Sequence, residues 1–538
     1  MTHPPRRWRV AGPVGLVLGL VVLLSAMTPS TPTAVPASTP AAAQAKPNVV
    51  VIMADDMRKG DLRWMPQTRA LIADNGARFS NSFAPYPLCC PARASFLTGQ
   101  YTHNHGVWTH HEPYGFTVFD DRHTLPRWLH QAGYRTIFLG KYLNGYGKRP
   151  APDGQPSVRY VPPGWSDWRG AIDGGLPPGH PLDGGTYRYW DTTLNVNGDL
   201  EAHQGEYQTR MLGRQSVSLI HAYAPESEPF FLWASYVAPH HGGPREPDDP
   251  PEVPRDDGKL THIVTPAVPP EIRGRFDDQI LQPDGLPSER DVSDKPAFIR
   301  RLPPINQAEE LAMLEAARQR AEAIAVLDEE VAATVEALRA TGELDDTLLM
   351  ITADNGYFQG EHRMRQGKTL PYEPSLRTPL LMRGPGIPHG VTRAAPFLSI
   401  DFAPTILEAA GAPFPASLDG QTRLGVARAG GNGWKRPVLT ETGPRRTVTR
   451  AGEAGARLEP IQAAHDKPYS AGVRVPGFLY VEHLSGEKEL YDMRRDRGQR
   501  RNLIDHQAYD EDQRRLAKIL RDLRSCAGDE CRRQLSSW

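Results

Sequence analysis

Cysteine is scarce in this chain, with four in 538 residues, and charge of one sign is not in excess. Lys and Arg number 62 against 63 Asp and Glu, a formal net charge of -1. No global field therefore attracts nucleic acid or an acidic membrane surface, and anion binding must come from a local cluster. Internal repeats are absent. So is an apolar run of ordinary membrane-spanning length: the one candidate, Pro13 to Met27, is too short and follows the basic Arg6-Arg7-Trp8-Arg9, the pattern of a signal-peptide h-region behind its n-region. No cysteine follows that run, which argues against a lipoprotein anchor, and the paired arginines leave the export route open. We expect a signal peptide over residues 1–27, then a disordered Ser/Thr/Pro/Ala leader or spacer over 28–45 in which Ala43-Gln44-Ala45 offers a cleavage site. The mature protein is then secreted or held in the cell envelope, with no stable membrane span after signal removal and no nucleic-acid partner.

What is present fits a soluble globular enzyme: hydrophobic residues make up 39% and charged residues 23%, while 52 Pro and 49 Gly imply many ordered loops. The length exceeds one ordinary domain. Residues 46–56 read as a buried strand, 64–79 as a helix, 124–133 as a glycine-capped helix and 134–140 as the strand after it. The alternation continues with a helix at 208–222, a strand at 229–237, a long helix at 308–341 and a strand at 347–352. Between 241 and 304 the chain is proline-rich and acidic without clear period, an ordered excursion over the surface. After a helix at 401–411 the alternation stops, and 470–475, 478–483 and 489–492 read as short antiparallel strands, with a packing helix at 508–524. The expected fold class is α/β, a mostly parallel sheet covered by helices on both faces over residues 46–430, with a smaller α+β subdomain over 431–538.

Two polar pairs close apolar strands, Asp55-Asp56 and Asp354-Asn355. Carboxyl ends of parallel strands are where open α/β sheets place their ligands. If the two strands are neighbours, three carboxylates and an amide converge, hard oxygen donors suited to Ca²⁺ or Mg²⁺ rather than to a thiolate-seeking zinc. Taken singly, Asp-Asp reads equally as a solvated turn, and Asp-Asn-Gly more readily as a tight turn. The cysteines also fall into two pairs. Cys526 and Cys531, spaced C-x4-C, most simply form a local disulfide in an exported protein. Cys89 and Cys90 lie in Pro87-Leu-Cys-Cys-Pro-Ala-Arg-Ala-Ser-Phe-Leu-Thr-Gly-Gln-Tyr101. Adjacent cysteines alone read as a buried thiol pair, but Pro91 fixes φ and Arg93 adds a permanent cation, as a site handling an anionic substrate requires.

The C-x-P-x-R pattern of Cys89, Pro91 and Arg93 resembles the signature of the sulfatase family, in which the first cysteine becomes formylglycine (3-oxoalanine) through a formylglycine-generating enzyme. Ala92 stands where family members most often carry Ser. The resemblance implies an alkaline-phosphatase-like fold and one divalent ion, Ca²⁺ or alternatively Mg²⁺, held by Asp55, Asp56, Cys89 in its modified form, Asp354 and Asn355. It also implies that sulfate is met by Arg93, by Lys141 in Gly-Lys-Tyr, by His240 at the end of Val-Ala-Pro-His and by Lys368 in Gln-Gly-Lys-Thr. In the family mechanism one hydroxyl of the hydrated aldehyde attacks sulfur, and loss of a proton from the other expels sulfate by re-forming C=O, a release that a sulfated serine lacks. The metal and the cations stabilise the spreading charge, and His240 or a lysine protonates the leaving sugar oxygen.

Many arylsulfatases carry a histidine two residues after the Gly-Lys lysine, where this chain has Leu143. Gly140-Lys-Tyr-Leu-Asn144 is similar instead to glucosamine-6-sulfatases and the extracellular heparan 6-O-endosulfatases, as are Tyr101-Thr-His-Asn-His105, Pro162-Pro-Gly-Trp165 and Thr193 to Gly198. The resemblance implies a sulfated sugar or other sulfate ester as partner, and that branch implies 6-O-sulfate of N-acetylglucosamine or a glycosaminoglycan as substrate, with His105 and Asn144 as substrate-contacting candidates. Two rival readings stand beside it: a phosphonate monoester hydrolase or phosphodiesterase of the same superfamily, and a catalytically silent carbohydrate-binding relative.

Overall fold

Asn48–Ala54 (β1) buries all seven of its residues. Val49, Val51 and Met53 face one apolar cluster while Val50, Ile52 and Ala54 face another, the alternation of a strand covered on both sides. The structure, a computed structural model, describes residues 46–431, 433–443 and 469–535; the expected signal peptide and leader lie outside the described residues. Three further apolar runs form Arg135–Lys141 (β2), Phe230–Ser235 (β3) and Thr347–Ala353 (β4). With β1 they stand in the order β4-β1-β3-β2, all parallel, at the centre of a ten-stranded sheet. Toward its edges the sheet is mixed. Asp167–Ala171 still runs parallel to β2, but the hairpin of Asp191–Val196 and Asp199–Gln204 is antiparallel, as is Leu380–Arg383 against β4.

Helices cover both faces, as the alternating pattern requires. Cys89–Thr98 (α1) and Phe402–Ala409 pack on one face through Phe96, Leu97, Ile406 and Leu407. Gln208–Tyr223 and the long Gln307–Ala340 (α2) pack on the other through Leu212, Leu219, Ile324 and Leu327. Full burial of an apolar side chain of this size contributes about 1.5–3 kcal/mol, so the two-sided core holds β1 more firmly than local propensity does. One expected element differs. Residues 64–79 are not a single helix: short helical turns at Lys59–Trp64, Pro66–Thr68 and Arg69–Ala73 give way to a strand at Ala77–Phe79. Gly76 marks the break, because a Cβ there would lie 2.3 Å from the Met382 carbonyl oxygen, so the chain must pass into the sheet at that point. The excursion between 241 and 304 carries only Val253–Pro254, Leu260–Thr261 and Ala297–Arg300 as regular elements.

Val438–Thr442, Ser470–Val475, Phe478–His483 and Lys488–Asp492 make a separate four-stranded antiparallel sheet, against which Asp510–Leu523 packs. The cluster beneath it also takes in Phe83, Tyr86, Tyr101 and Leu398. Cys526 and Cys531 are disulfide-bonded and sit in that same cluster.

Register does the positioning. Ala54 stands opposite Ala353, so the Asp55-Asp56 and Asp354-Asn355 pairs leave neighbouring parallel strands side by side. Gly140 stands opposite Ser235 with φ +99, and a Cβ there would lie 2.1 Å from the Ser235 carbonyl oxygen. Only glycine meets both demands, and Lys141 follows it as the last residue of β2, at the same edge.

Candidate active site

α1 begins at Cys89 and buries all ten of its residues. Pro91 falls in the first turn, where its missing N–H and fixed φ are harmless. The i, i+4 spacing sets Cys89 and Arg93 on one helical face, and that face meets the ends of β1, β2 and β4. Cys89 Sγ lies 3.2 Å from Asp55 Oδ1, 3.9 Å from Asp56 Oδ1 and 3.0 Å from Lys368 Nζ. Arg93 donates from Nε to Asp354 Oδ2 at 2.8 Å, and from Nη1 to the Lys141 carbonyl oxygen at 2.8 Å and Ser235 Oγ at 2.6 Å. Lys141 and Lys368 close ion pairs with Asp55 and Asp56 respectively. Asn355 Nδ2 donates to Asp56 Oδ1 at 2.6 Å, and His240 Nε2 stands 3.6 Å from Asp56 Oδ2. Nine residues named from the sequence, spread from 55 to 368, thus meet at one sheet edge.

Burial opposes every charge here, and opposite charges answer it. The Lys141 ammonium loses by burial, but Asp55 and then Cys89 raise it well above its usual range. Lys368 is likewise raised, with Asp56, Cys89 and Asp55 overcoming burial. The Cys89 thiol is pushed well up by burial, then by Asp354 and Asp55, so as an unmodified cysteine it is a poor source of thiolate. His240 is held well below its usual range by burial, then by His241, Lys368 and Lys141. Its Nδ1–H donates to the His241 carbonyl oxygen at 2.7 Å, which leaves the neutral ring presenting Nε2 to the site as an acceptor. Lys368 and His240 side chains retain 11% and 8% exposure where Asp55 and Arg93 have none, so the approach from solvent is on the Lys368–His240 side.

The donor set fits a hard divalent cation. Asp55, Asp56, Cys89 and His240 each offer an atom within 4.8 Å of the others. Asp354 Oδ1 is tied to this group through the Asp56 N–H at 3.2 Å, and the buried Asn355 Oδ1 has no hydrogen-bond partner among the described residues. Oxygen dominates the set, which favours Ca²⁺ or Mg²⁺.

Four neighbours were not read from the sequence. Tyr187 accepts from Asn144 Nδ2 at 2.6 Å, holds its ring tilted at 4.7 Å from that of His240 and lies 4.9 Å beneath Lys141 Nζ. His241 stacks on His240 at 4.1 Å. Ser235 Oγ bridges Arg93 and the Lys141 carbonyl oxygen. Arg320, on α2, donates to the carbonyl oxygens of Asp56 at 2.6 Å and Pro239 at 3.0 Å. Asp56 carries a positive φ of 62°, a conformation that costs a non-glycine residue energy and persists where its surroundings hold it. Arg320 therefore fixes both the strained acidic turn and the loop that bears His240. Arg320→Met is expected to lower turnover about 10- to 100-fold with a smaller change in KM, and Arg320→Lys to recover part of it. Steady-state kinetics of the two variants is the check, and wild-type kcat in Arg320→Met would refute the positioning role.

The branch motifs behave differently from the catalytic cluster. Asn144 reaches the site through Tyr187, but His105 does not join it: Nε2 is bonded to Ser95 Oγ at 3.0 Å and Nδ1 accepts the Val107 N–H at 3.1 Å, and burial lowers the ring to about 3. Its neighbours tether the C-terminal region. His103 is bonded to Glu441 and to the Cys526 carbonyl oxygen, and Asn104 donates to Asp419 and to that same carbonyl. Trp165 packs among Phe138, Trp168 and Phe231, while Asn195 and Asn197 secure the hairpin turn through Gly198 N and Trp168 N.

Residues 47–412 match the family model described as Sulfatase. The chain belongs to the sulfatase family. It is 30% identical over 434 residues to the extracellular sulfatase SULF-1 homolog of Drosophila melanogaster, covering 78% of this chain and 35% of the relative. It is 31% identical over 425 residues to the N-acetylglucosamine-6-sulfatase of Homo sapiens, covering 76% of this chain and 70% of the relative. The chain thus spans about a third of the length of the Drosophila relative. Among solved structures, a complex with the substrate D-glucosamine-2-N,6-O-disulfate matches with a TM-score of 0.67 at 20% identity, over 90% of this chain and 98% of the other. That likeness is one of fold, and it agrees with the parallel-centred sheet and the small C-terminal antiparallel sheet described above.

Proposed function

We propose that this member of the sulfatase family is an exported hydrolase of sulfate monoesters, acting on the 6-O-sulfate of N-acetylglucosamine or of a glycosaminoglycan bearing it. The observation that carries the reading is the placement of Cys89 at the start of a buried helix, between Asp55 and Lys368 and one turn from Arg93. The C-x-P-x-R pattern at that place supports conversion of Cys89 to formylglycine by a formylglycine-generating enzyme. Formylglycine at residue 89 would supply, as its hydrate, an attacking oxygen and a second hydroxyl through which sulfate is released. A Ca²⁺ or Mg²⁺ ion held by Asp55, Asp56, Asp354, Asn355 and residue 89 would supply Lewis acidity there.

The chain's own groups do the rest. Three carboxylates, Asp55, Asp56 and Asp354, are balanced by Arg93, Lys141 and Lys368, so a divalent ion leaves a net positive site that draws a sulfate ester. Arg93 orients Asp354 and braces the Lys141 backbone. Lys141 and Lys368 stabilise the sulfate oxygens, whose charge grows in the transition state. Lys368, charged and at the open side, is placed to hand a proton to the leaving sugar oxygen. His240 offers an acceptor in its neutral form and becomes an acid only after taking a proton at Nε2. The narrow exposure suits a primary 6-O-sulfate, which projects from its ring and can enter alone, with Asn144 and Tyr187 beside it at the mouth. The names of the relatives support the sugar: one is an N-acetylglucosamine-6-sulfatase.

The test is a panel of N-acetylglucosamine 6-sulfate, galactose 4-sulfate, an aryl sulfate and an aryl phosphate diester, compared by kcat/KM. The 6-sulfate is expected to lead. Preference for galactose 4-sulfate would remove the specificity, preference for the phosphate diester would favour the phosphonate monoester hydrolase or phosphodiesterase reading, and turnover of none by the converted, metal-loaded protein would favour a carbohydrate-binding relative.

A further inference from the structure

Tyr187 enters the candidate active site from a loop that is itself fastened down. Between the strands Asp167–Ala171 and Asp191–Val196, the Thr186 N–H donates to the Ile172 carbonyl oxygen at 2.8 Å and Gln208 Nε2 to the Thr186 carbonyl oxygen at 2.9 Å. The same loop is laced to the segment that begins at His240. The Gly243 N–H donates to the Tyr187 carbonyl oxygen at 2.9 Å, the Tyr189 N–H to that of Gly243 at 2.8 Å, and Tyr189 Oη to that of His240 at 2.7 Å. Gly242 allows this approach, since a Cβ there would lie 2.5 Å from the Tyr187 carbonyl oxygen. The Tyr187 backbone is therefore fixed relative to His240.

From that base the side chain reaches three groups. Oη accepts from Asn144 Nδ2 at 2.6 Å, the ring face lies 4.9 Å from Lys141 Nζ, and the ring centroid is 4.7 Å from that of His240. Burial holds the hydroxyl above its usual range although Lys141 opposes it, so the ring is a neutral phenol. What it does for Lys141 follows from how an ammonium is held. Among the described residues its hydrogen-bonding partner is Asp55 alone, and that carboxylate is shared with Cys89 at 3.2 Å and Arg93 at 3.9 Å. An ion pair by itself draws the ammonium onto the carboxylate and engages its donors. A ring face attracts the same charge without offering an oxygen acceptor, so it keeps the ammonium in place with N–H donors left for an incoming anion.

We propose that Tyr187 is a positioning residue, whose ring holds the Lys141 ammonium and the His240 imidazole where they meet a sulfate ester, and whose hydroxyl orients that ring through Asn144. The inference rests on the reading of this site as a sulfate-ester hydrolase.

Two substitutions separate ring from hydroxyl. Tyr187→Leu removes both and Tyr187→Phe removes the hydroxyl alone, so both leave Asn144 Nδ2 without its acceptor and both should lower the thermal midpoint. Only the Leu variant should lose kcat on an aryl sulfate, about 10- to 100-fold with KM within about threefold of wild type, and restoring the ring in Tyr187→Phe should recover most of it. Calorimetric titration with inorganic sulfate reads the ring without turnover: the Leu variant should bind about five- to tenfold more weakly than the Phe variant. That difference should shrink to within about twofold when Lys141 is also replaced by Met, because the cation the ring holds is then gone. Wild-type kcat in a folded Tyr187→Leu overturns the proposal, as does a Leu-to-Phe difference in sulfate binding that persists without Lys141. So does a loss of tenfold or more in Tyr187→Phe, which can be read whether or not the Leu variant folds. Failure of the converted, metal-loaded wild type to turn over any sulfate ester is a different result, and it removes the hydrolase reading itself.

Discussion

Cys89→Ala is expected to abolish turnover while Cys90→Ala keeps most of it. The two cysteines are adjacent, both fully buried and identical in composition, so only their surroundings can separate them. Cys89 Sγ faces Asp55, Asp56 and Lys368. Cys90 Sγ has the Asn144 carbonyl oxygen at 3.9 Å and otherwise joins the apolar cluster beside Val107, Phe138 and Leu143, and its thiol is pushed up to about 12, chiefly by burial. Loss of a nucleophile that acts with its neighbours as a unit costs on the order of 10³-fold or more in kcat. Loss of one buried sulfur leaves a small cavity and costs about 1 kcal/mol of stability, without touching the site. The readouts are kcat/KM on an aryl sulfate and the intact mass of the residue-89 peptide, which falls by about 18 Da on conversion to formylglycine. Equal loss of activity in the two variants would sink the assignment of residue 89.

The parts of this site that could be read in advance are those whose position follows from local pattern. A run such as Val49 to Ala54 has no polar interruption, which forces it between two layers, and the acids after it then emerge at the ligand edge of the sheet. The second pair after Thr347–Ala353 follows by the same reasoning, and the in-register pairing of Ala54 with Ala353 is what joins them. Arg93 was legible as the fixed cation two residues after Pro91 in the C-x-P-x-R pattern. Tyr187 and Arg320 were not. Tyr187 sits in a loop and reaches the site by folding over Lys141, and Arg320 lies mid-way along a 34-residue helix where an arginine ordinarily reads as solvated surface. Their roles are set by tertiary contacts that no spacing encodes. His105 shows the converse: Tyr101 to His105 carries a recognisable motif, yet its polar groups are spent on tying the segment after α1 to Glu441, Asp419 and the Cys526 carbonyl oxygen. The mis-read stretch 64–79 has helical spacing, but the close approach of Gly76 to the sheet overrides it. The antiparallel edges of the large sheet were hidden for a related reason, since their short strands take direction from partners far away in sequence.

Removing divalent ions is the other large effect. A chelator is expected to reduce turnover of the aryl sulfate on the order of 10³-fold or more, and Ca²⁺ to restore it, with Mg²⁺ as the comparison. Two consequences of the geometry act together. Without an ion, the carboxylates of Asp55 and Asp56 are neutralised by Lys141 and Lys368, so the two ammonium groups that should meet sulfate are engaged by the protein itself. The site also loses the positive excess that draws an anion, because three buried carboxylates then face three cations. An ion held there would be ligated by the carboxylates and would leave Lys141 and Lys368 to meet substrate. The same exchange should appear in stability. An ion that binds only the folded chain stabilises it by about 2.7 kcal/mol at a hundred times its Kd, so the thermal midpoint should climb as Ca²⁺ is added back. Asp354→Asn, which keeps the shape but removes one charge and weakens the Arg93 contact, should shift the Ca²⁺ dependence of both readouts to higher concentration. Full activity in metal-free protein, or a midpoint indifferent to Ca²⁺ while activity responds, would contradict an ion bound by these carboxylates.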